Sequence, residues 1–443
     1  MIRPRGTAAP QPLHDVPAVV LLLIAVLLTG GCATEPSESP ARGDWDGSIS
    51  TAGTVATVVN RSGSVWGDVE LVEEASIGVL DGADEYVFSQ VRAVTASDDR
   101  IFVLDGREGI IRVYDMAGGH LFDIGRQGDG PGEFRRPWAI GLSLEPRLLV
   151  RDLAQSRVHE FSLDGELLDD WRAAGGGPTT IADEGFVYVY RRLPADTADA
   201  PVRFGMSPTG PEGAAEMIPI PIPTFEQQRM LVPMNRRFIE VGMMESINQG
   251  LRFSVADVPF APNPQWALAG DGTLIWGESD TYRFALERRD GSVVHVERAE
   301  DPVPIGGDER RWYRDRLTRF WREVMPECRW TEGVIPATKR AFVALTPDGD
   351  RRVWVLRELA GVPLADCDPD PDDFSSFVTR PCWRQPLALD GFGGDGRFLG
   401  RILVPEGTRF DVPPFMDGDT MITVVEDEAG AIMVKRYRID RDE

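Results

Sequence analysis

The pattern that most limits what this chain can fold into is a repeat. Ile101-Phe102-Val103-Leu104-Asp105 is followed, nine residues after the Asp, by Tyr114; Leu148-Leu149-Val150-Arg151-Asp152 is followed at the same distance by Phe161, and the copies lie 47 residues apart. Each aromatic leads into a tight turn, Gly118-Gly119 or Asp164-Gly165, and then into Leu121–Ile124 or Leu167–Trp171. Glycine-bearing turns between β-rich runs predict hairpins. A unit of about 45 residues with about four strands has the dimensions of one propeller blade.

More diverged copies follow at Thr180–Ile222, Gln265–Val296 and Ala341–Val404, while Phe415–Ile439 supplies only three strands. The 46 Gly and 34 Pro spread along the 443 residues fit many short strands and turns. Thr54–Asn60 precedes the first unit as an orphan strand. Pairing it with the incomplete last unit closes a ring of six and leaves no open sheet edge. The expected fold is therefore all-β: a six-bladed β-propeller closed by an N-terminal strand pairing with the last blade, one domain over residues 51–443.

The run Gly125-Arg126-Gln127-Gly128-Asp129-Gly130-Pro131-Gly132-Glu133-Phe134-Arg135-Arg136-Pro137 resembles the GxxGxGPGEFxxP linker of NHL-type six-bladed propellers, and Arg157–Phe161 resembles the same repeat. Phe410–Ile439 is similar to the closing blade of extracytoplasmic six-bladed propeller lipoproteins of bacteria. The strong motif covers residues 85–175, with a weaker likeness to the end of the chain. The linker's glycines fit a tight inter-blade crossing that needs positive φ; the competing reading is an anion-binding nest of N–H groups.

Residues 1–31 read as a lipoprotein signal peptide. Arg3 and Arg5 precede an apolar run of 13 residues, 16–28, shorter than the ~20 that span a bilayer. Leu28-Thr29-Gly30-Gly31-Cys32 resembles a lipobox, with Thr29 where Leu is usual, and predicts lipidation at Cys32. Ala33, not Asp, follows the Cys, which by that resemblance implies the outer membrane. Residues 32–50 are polar and Pro/Ser-rich, a flexible tether. An extracytoplasmic site permits disulfides. Cys367 and Cys382 flank one Asp/Pro-rich loop and are the candidate pair; Cys328 is left over or competes with them.

The propeller resemblance implies that loops joining second to third strands share a face with the linkers between blades. All the long insertions then lie on one face, and such loops on a rigid scaffold carry function. The channel-face candidates are Asp105, Arg107, Asp152, Arg157, Glu278, Asp280 and Arg357. Asp105 and Asp152 end equivalent strands; such an Asp more often accepts backbone hydrogen bonds in its turn than binds a ligand. A helix is expected at about 308–326, since Tyr313, Leu317, Phe320, Trp321 and Val324 form one apolar stripe. Its other face carries Arg310, Arg311, Arg314, Arg319 and Arg322, either a lid over an anionic ligand or a solvated face balancing an acidic protein. Asp366, Asp368 and Asp370 suggest a Ca²⁺ site only loosely, because Pro371 stands where an EF-hand has its turn glycine.

A net charge of −24 excludes a nucleic-acid ligand. Beyond the signal segment there are only three histidines, His120, His159 and His295, none placed on an innermost strand by the repeat. The expected function is a monomeric, lipid-anchored extracytoplasmic binding module for a protein, peptide or glycan, with no cofactor. The alternative is a metal-dependent hydrolase or lyase of the lactonase-like propeller type.

Overall fold

The computed structural model describes residues 43–192, 204–210, 217–220, 259–324, 335–365 and 382–441, with backbone alone at 192, 204 and 317–324. These residues form six four-stranded antiparallel meanders. Blade 1 is β4 (Val91–Ala96), β5 (Arg100–Asp105), β6 (Ile110–Asp115) and β7 (His120–Ile124); blade 2 is β8 (Pro137–Leu142), β9 (Leu148–Asp152), β10 (Arg157–Phe161) and β11 (Leu167–Arg172). Blade 3 is β12 (Thr179–Ile181), β13 (Val187–Arg192), β14 (Phe204–Thr209) and β15 (Ile218–Ile220); blade 4 is β16 (Pro264–Leu268), β17 (Leu274–Glu278), β18 (Arg283–Glu287) and β19 (Val293–Arg298). Blade 5 is β20 (Ala344–Pro347), β21 (Val353–Glu358), β24 (Leu387–Phe392) and β25 (Phe398–Leu403), with the small hairpin β22 (Val362–Pro363) and β23 (Trp383–Arg384) inserted. Blade 6 combines β26 (Phe415–Asp417), β27 (Thr420–Glu426) and β28 (Ile432–Arg441) with β3 (Val69–Ile77) from the N-terminal side. First strands of neighbouring blades touch around the ring, β4 against β8 and β26, β8 against β12, and β16 against β20.

The core explains the sequence pattern. Each of the six blade interfaces holds one apolar cluster. Second strands are buried on both faces, so alternate residues serve opposite neighbours: Ile101 and Val103 pack toward blade 6, Phe102 and Leu104 toward blade 2. Trp354 and Leu356 face blade 6, while Val353 and Val355 face blade 4. Continuous apolar runs such as Ile101–Leu104 are what a doubly buried strand requires.

Closure by an N-terminal strand is as expected, but the strand is a different one. Of the expected strand Thr54–Asn60, all but Thr54 lies in β2 (Val55–Ser62), which adds in parallel to the outer edge of β19 and carries β1 (Asp46–Ala52) beyond it. The closing strand is β3, antiparallel to β28. The path of the chain gives the reason. Each linker runs from the outermost strand of one blade to the innermost of the next, so the segment directly before β4 takes the outer place of blade 6. β1 opens at Asp46, within the stretch read as tether.

The N-terminal segment thus straps three blades. Between its strands, Val65 and Trp66 N–H bond to the Phe398 and Leu399 carbonyls of blade 5. Asn60, fully buried, stitches the crossing. Its Nδ2 donates to the carbonyls of Glu297 and Gly396 at 3.1 Å each, and its Oδ1 accepts from Phe398 N (2.8 Å) and Trp45 Nε1 (2.7 Å).

Candidate functional site

The strand order puts the described ends of the second-to-third-strand loops and of the inter-blade linkers on one face, here called the linker face; the short hairpin turns occupy the other. The helix expected in the insertion is present as α1 (Gly307–Val324), between blades 4 and 5 on the linker face. The chain also enters β1 on this side, because Gly47 pairs with Asn60 and Asn60 with Arg298, at the linker-face end of β19.

Asp105 and Asp152 are fully buried and hold turns together. Asp105 accepts N–H bonds from Ser89 (2.7 Å), Gln90 (3.3 Å), Arg107 (3.1 Å) and Glu108 (3.2 Å). Asp152 accepts from Arg135 (2.7 Å), Arg136 (3.0 Å) and Gln155 (2.8 Å). Each carboxylate clamps the incoming linker to its own turn. The structure therefore assigns both to scaffolding rather than to ligand. In the glycine-rich linker, Gly125 and Gly132 have φ of 76° and 74°. Glu133 turns back to accept the Gly130 N–H at 2.8 Å, so the chain's own carboxylate fills the place of an anion. That bond, with the Arg126 contact, holds its carboxyl below the usual range.

Between blades 4 and 5 lies a polar seam under a cleft of about 380 Å³. Arg357, expected at the ligand face, is buried here. It donates to Glu300 and, at 3.0 Å, to the Ala341 carbonyl. Arg401 bonds Glu300 at 2.8 Å and Asp390 at 2.6 Å, and Tyr282 donates its hydroxyl to Asp390 at 2.6 Å. Burial pushes the Glu300 carboxyl up, but the hydrogen bonds and charges of Arg401 and Arg357 outweigh it and hold it down at about 2. Burial and the Asp390 charge push Tyr282 up, so it stays a neutral donor. These charges are spent on one another across the interface, and Arg357 acts as a lock rather than a ligand contact. The sequence does not reveal this, because the partners lie 57 and 101 residues apart.

The same seam roots α1. Buried Glu309 accepts from Gln385 Nε2 at 2.8 Å, Lys339 donates to Gln385 and to the Leu359 carbonyl, and Tyr313 meets Phe260 edge-on at 4.9 Å. Burial lowers the Lys339 pKa. Of the candidate lid arginines, Arg310 donates to the Ile335 carbonyl (3.0 Å), Arg311 pairs with Asp308 (3.2 Å) and Arg314 with Asp315 (3.1 Å). Three of the five thus have partners on or beside the helix. The side chains of Arg319 and Arg322 lie outside the described residues, as do Asp366, Cys367, Asp368 and Asp370. Cys382 is disulfide-bonded.

Over blades 1 and 2 the linker face differs. Both innermost strands carry a bulge near their linker-face ends, between Val91 and Ala93 and between Pro137 and Ala139. A bulge re-aims the extra side chain. The residues so displaced are Arg92 and Trp138, and the Arg92 guanidinium stacks 5.0 Å from the indole centroid. Trp138 is 38% exposed although it belongs to an innermost strand. Arg92 lies across Gly106, where an added Cβ would meet its Cγ at 2.3 Å. Among the described residues the Arg92 side chain has no hydrogen bond or ion pair, and neither have those of Arg107 and Arg136 on the exposed loops beside it. Arg157 is paired with Asp170. Glu278 and Asp280 are exposed on the blade 4 loop, Asp280 at the cleft. On the turn face a cavity of about 360 Å³ is lined by both signs of charge, Asp271, Asp348 and Asp350 with Arg351 and Arg352, and these pair with one another. Sequence reasoning found Arg107 but missed Arg92 and Trp138. The one available signal was their equivalent place in two adjacent repeats, at the start of the first strand.

The fold makes this chain a six-bladed β-propeller. Residues 70–174 match a family model described as a 6-bladed beta-propeller. Solved structures similar to it include a member of the DUF4221 family from Bacteroides vulgatus, 10% identical over 84% of this chain and 99% of that one, with a TM-score of 0.42. Virginiamycin B lyase from Staphylococcus aureus is 8% identical over 83% and 99%, TM-score 0.36. A gluconolactonase from Xanthomonas campestris is 11% identical over 80% and 87%, TM-score 0.34. Likeness at this level carries nothing about activity.

Proposed function

We propose that this chain is an extracytoplasmic binding module of the NHL-type propeller lipoproteins, anchored through Cys32, that presents its linker face to a glycan, peptide or protein. The observation that carries the reading is the set of unpaired guanidinium groups at Arg92, Arg107 and Arg136 on that face, in a chain of net charge −24. Acidic partners are abundant, 71 Asp and Glu against 47 Lys and Arg, so cations left without one are available to a ligand. The lipobox-like Cys32 and the disulfide at Cys382 support the location.

Among the described residues no three His, Cys, Asp or Glu side chains converge to hold a metal ion, so the lactonase-like alternative draws no support from them. Two measurements test the proposal. Cys32→Ser is expected to move the mature protein from the membrane fraction to the soluble fraction. On arrays of acidic and neutral glycans and peptides, the wild type is expected to bind one class and the Arg107→Glu/Arg136→Glu variant to lose it. Stoichiometric divalent metal with lactone or ester hydrolysis by the wild type would overturn it.

A further inference from the structure

We propose that Arg92 and Trp138 form a subsite for a carboxylated sugar ring, the indole meeting the C–H face of the pyranose and the guanidinium its carboxylate. The inference rests on the binding-module reading and names its ligand chemistry.

Three features of the rim point this way. First, the Arg92 side chain meets the Trp138 ring and lies across Gly106, with no acceptor on its guanidinium among the described residues. A planar cation lying against an aromatic ring is oriented by that contact while its edge donors stay free, and those donors match a carboxylate in bidentate fashion. Asp411, whose carboxyl feels the Arg92 charge, is committed to Arg409 at 2.6 Å and leaves Arg92 unpaired. Second, a half-exposed tryptophan beside such a cation offers a flat apolar surface next to an anion site, the pairing that a uronate ring presents in reverse. Third, the same two positions carry the bulges. An extended peptide would bind here by adding to the free edge of β4 or β8, and a bulge interrupts the regular ladder that an added strand needs. A glycan makes no such demand, so the observations favour it over a peptide.

The net charge of −24 opposes the approach of any anion. Screening limits that opposition at physiological salt, where the Debye length is about 8 Å. Local contacts then decide binding.

Titration calorimetry of the mature chain with tri-galacturonate, its neutral tri-galactose counterpart and tri-glutamate tests the proposal. Tri-galacturonate is expected to bind at least about tenfold more tightly than the other two, the difference a charge-assisted pair supplies. Arg92→Ala and Trp138→Ala should each lose that binding with an unchanged melting temperature, and Arg92→Lys should recover it only in part. Equal binding of the neutral oligomer would overturn the carboxylate assignment and leave the binding-module reading standing. Tri-glutamate binding as tightly as the uronate would overturn the glycan assignment in favour of a peptide. Uronate binding that neither alanine variant weakens would place the site elsewhere and overturn the proposal, as would failure of all three probes to bind the folded protein.

Discussion

Asn60 is where the N-terminal strap can be tested most directly. Both lone pairs of its Oδ1 and both hydrogens of its Nδ2 are used, joining Trp45, blade 4 and blade 5 at a point closed to solvent. Replacing it by Ala removes four hydrogen bonds and strands the Phe398 N–H and two carbonyls in the interior. At roughly 1–3 kcal/mol for a buried group left unpaired, and allowing for partial relaxation, the loss comes to about 4 kcal/mol. An unfolding entropy of about 2 cal/mol/K per residue over ~400 residues converts this to a fall in Tm of roughly 5 °C. Asn60→Asp separates hydrogen bonding from shape. It keeps the volume and the acceptor to Phe398 but turns a carboxylate oxygen toward the carbonyls of Glu297 and Gly396, which repels and buries a charge. Calorimetric melting at pH 7 should therefore order the proteins as wild type, then Ala, then Asp. An Ala variant that melts within about 1 °C of wild type, or an Asp variant more stable than Ala, would refute the argument that this residue joins the strap to the ring.

Glu300 gives a pH signature. Its folded pKa, held at about 2, lies below the ordinary 4.5, so its stabilisation is present above about pH 4.5 and is lost as the pH falls toward 2. Glu300→Gln should cost about 2 kcal/mol near neutrality, after discounting for solvent screening, and the gap to wild type should narrow across that window in urea titrations. Non-reducing peptide mapping should find Cys382 linked to Cys367 and the Cys328 thiol free; a Cys328–Cys382 peptide would contradict the expected pair.

What the chain's own sequence determined was the local unit and its number. The 47-residue spacing, the apolar runs Ile101–Leu104 and Leu148–Val150, and the Gly-bearing turns are short-range properties, and they sufficed for six blades. The helix at Gly307–Val324 was legible for the same reason, from its apolar stripe. What only the tertiary structure decided were choices between distant partners. Thr54–Asn60 and Val69–Ile77 are both good strands, and which of them closes the ring depends on where the linker before β4 must begin. The role of each arginine depends on which acid reaches it through space. Arg357 looked available and is locked by Glu300 from the neighbouring blade, whereas Arg92, which the repeat did not single out, is left with only an indole. Strand propensity and turn chemistry act over a few residues, but charge pairing and strand addition are settled between segments that meet only once the ring has closed.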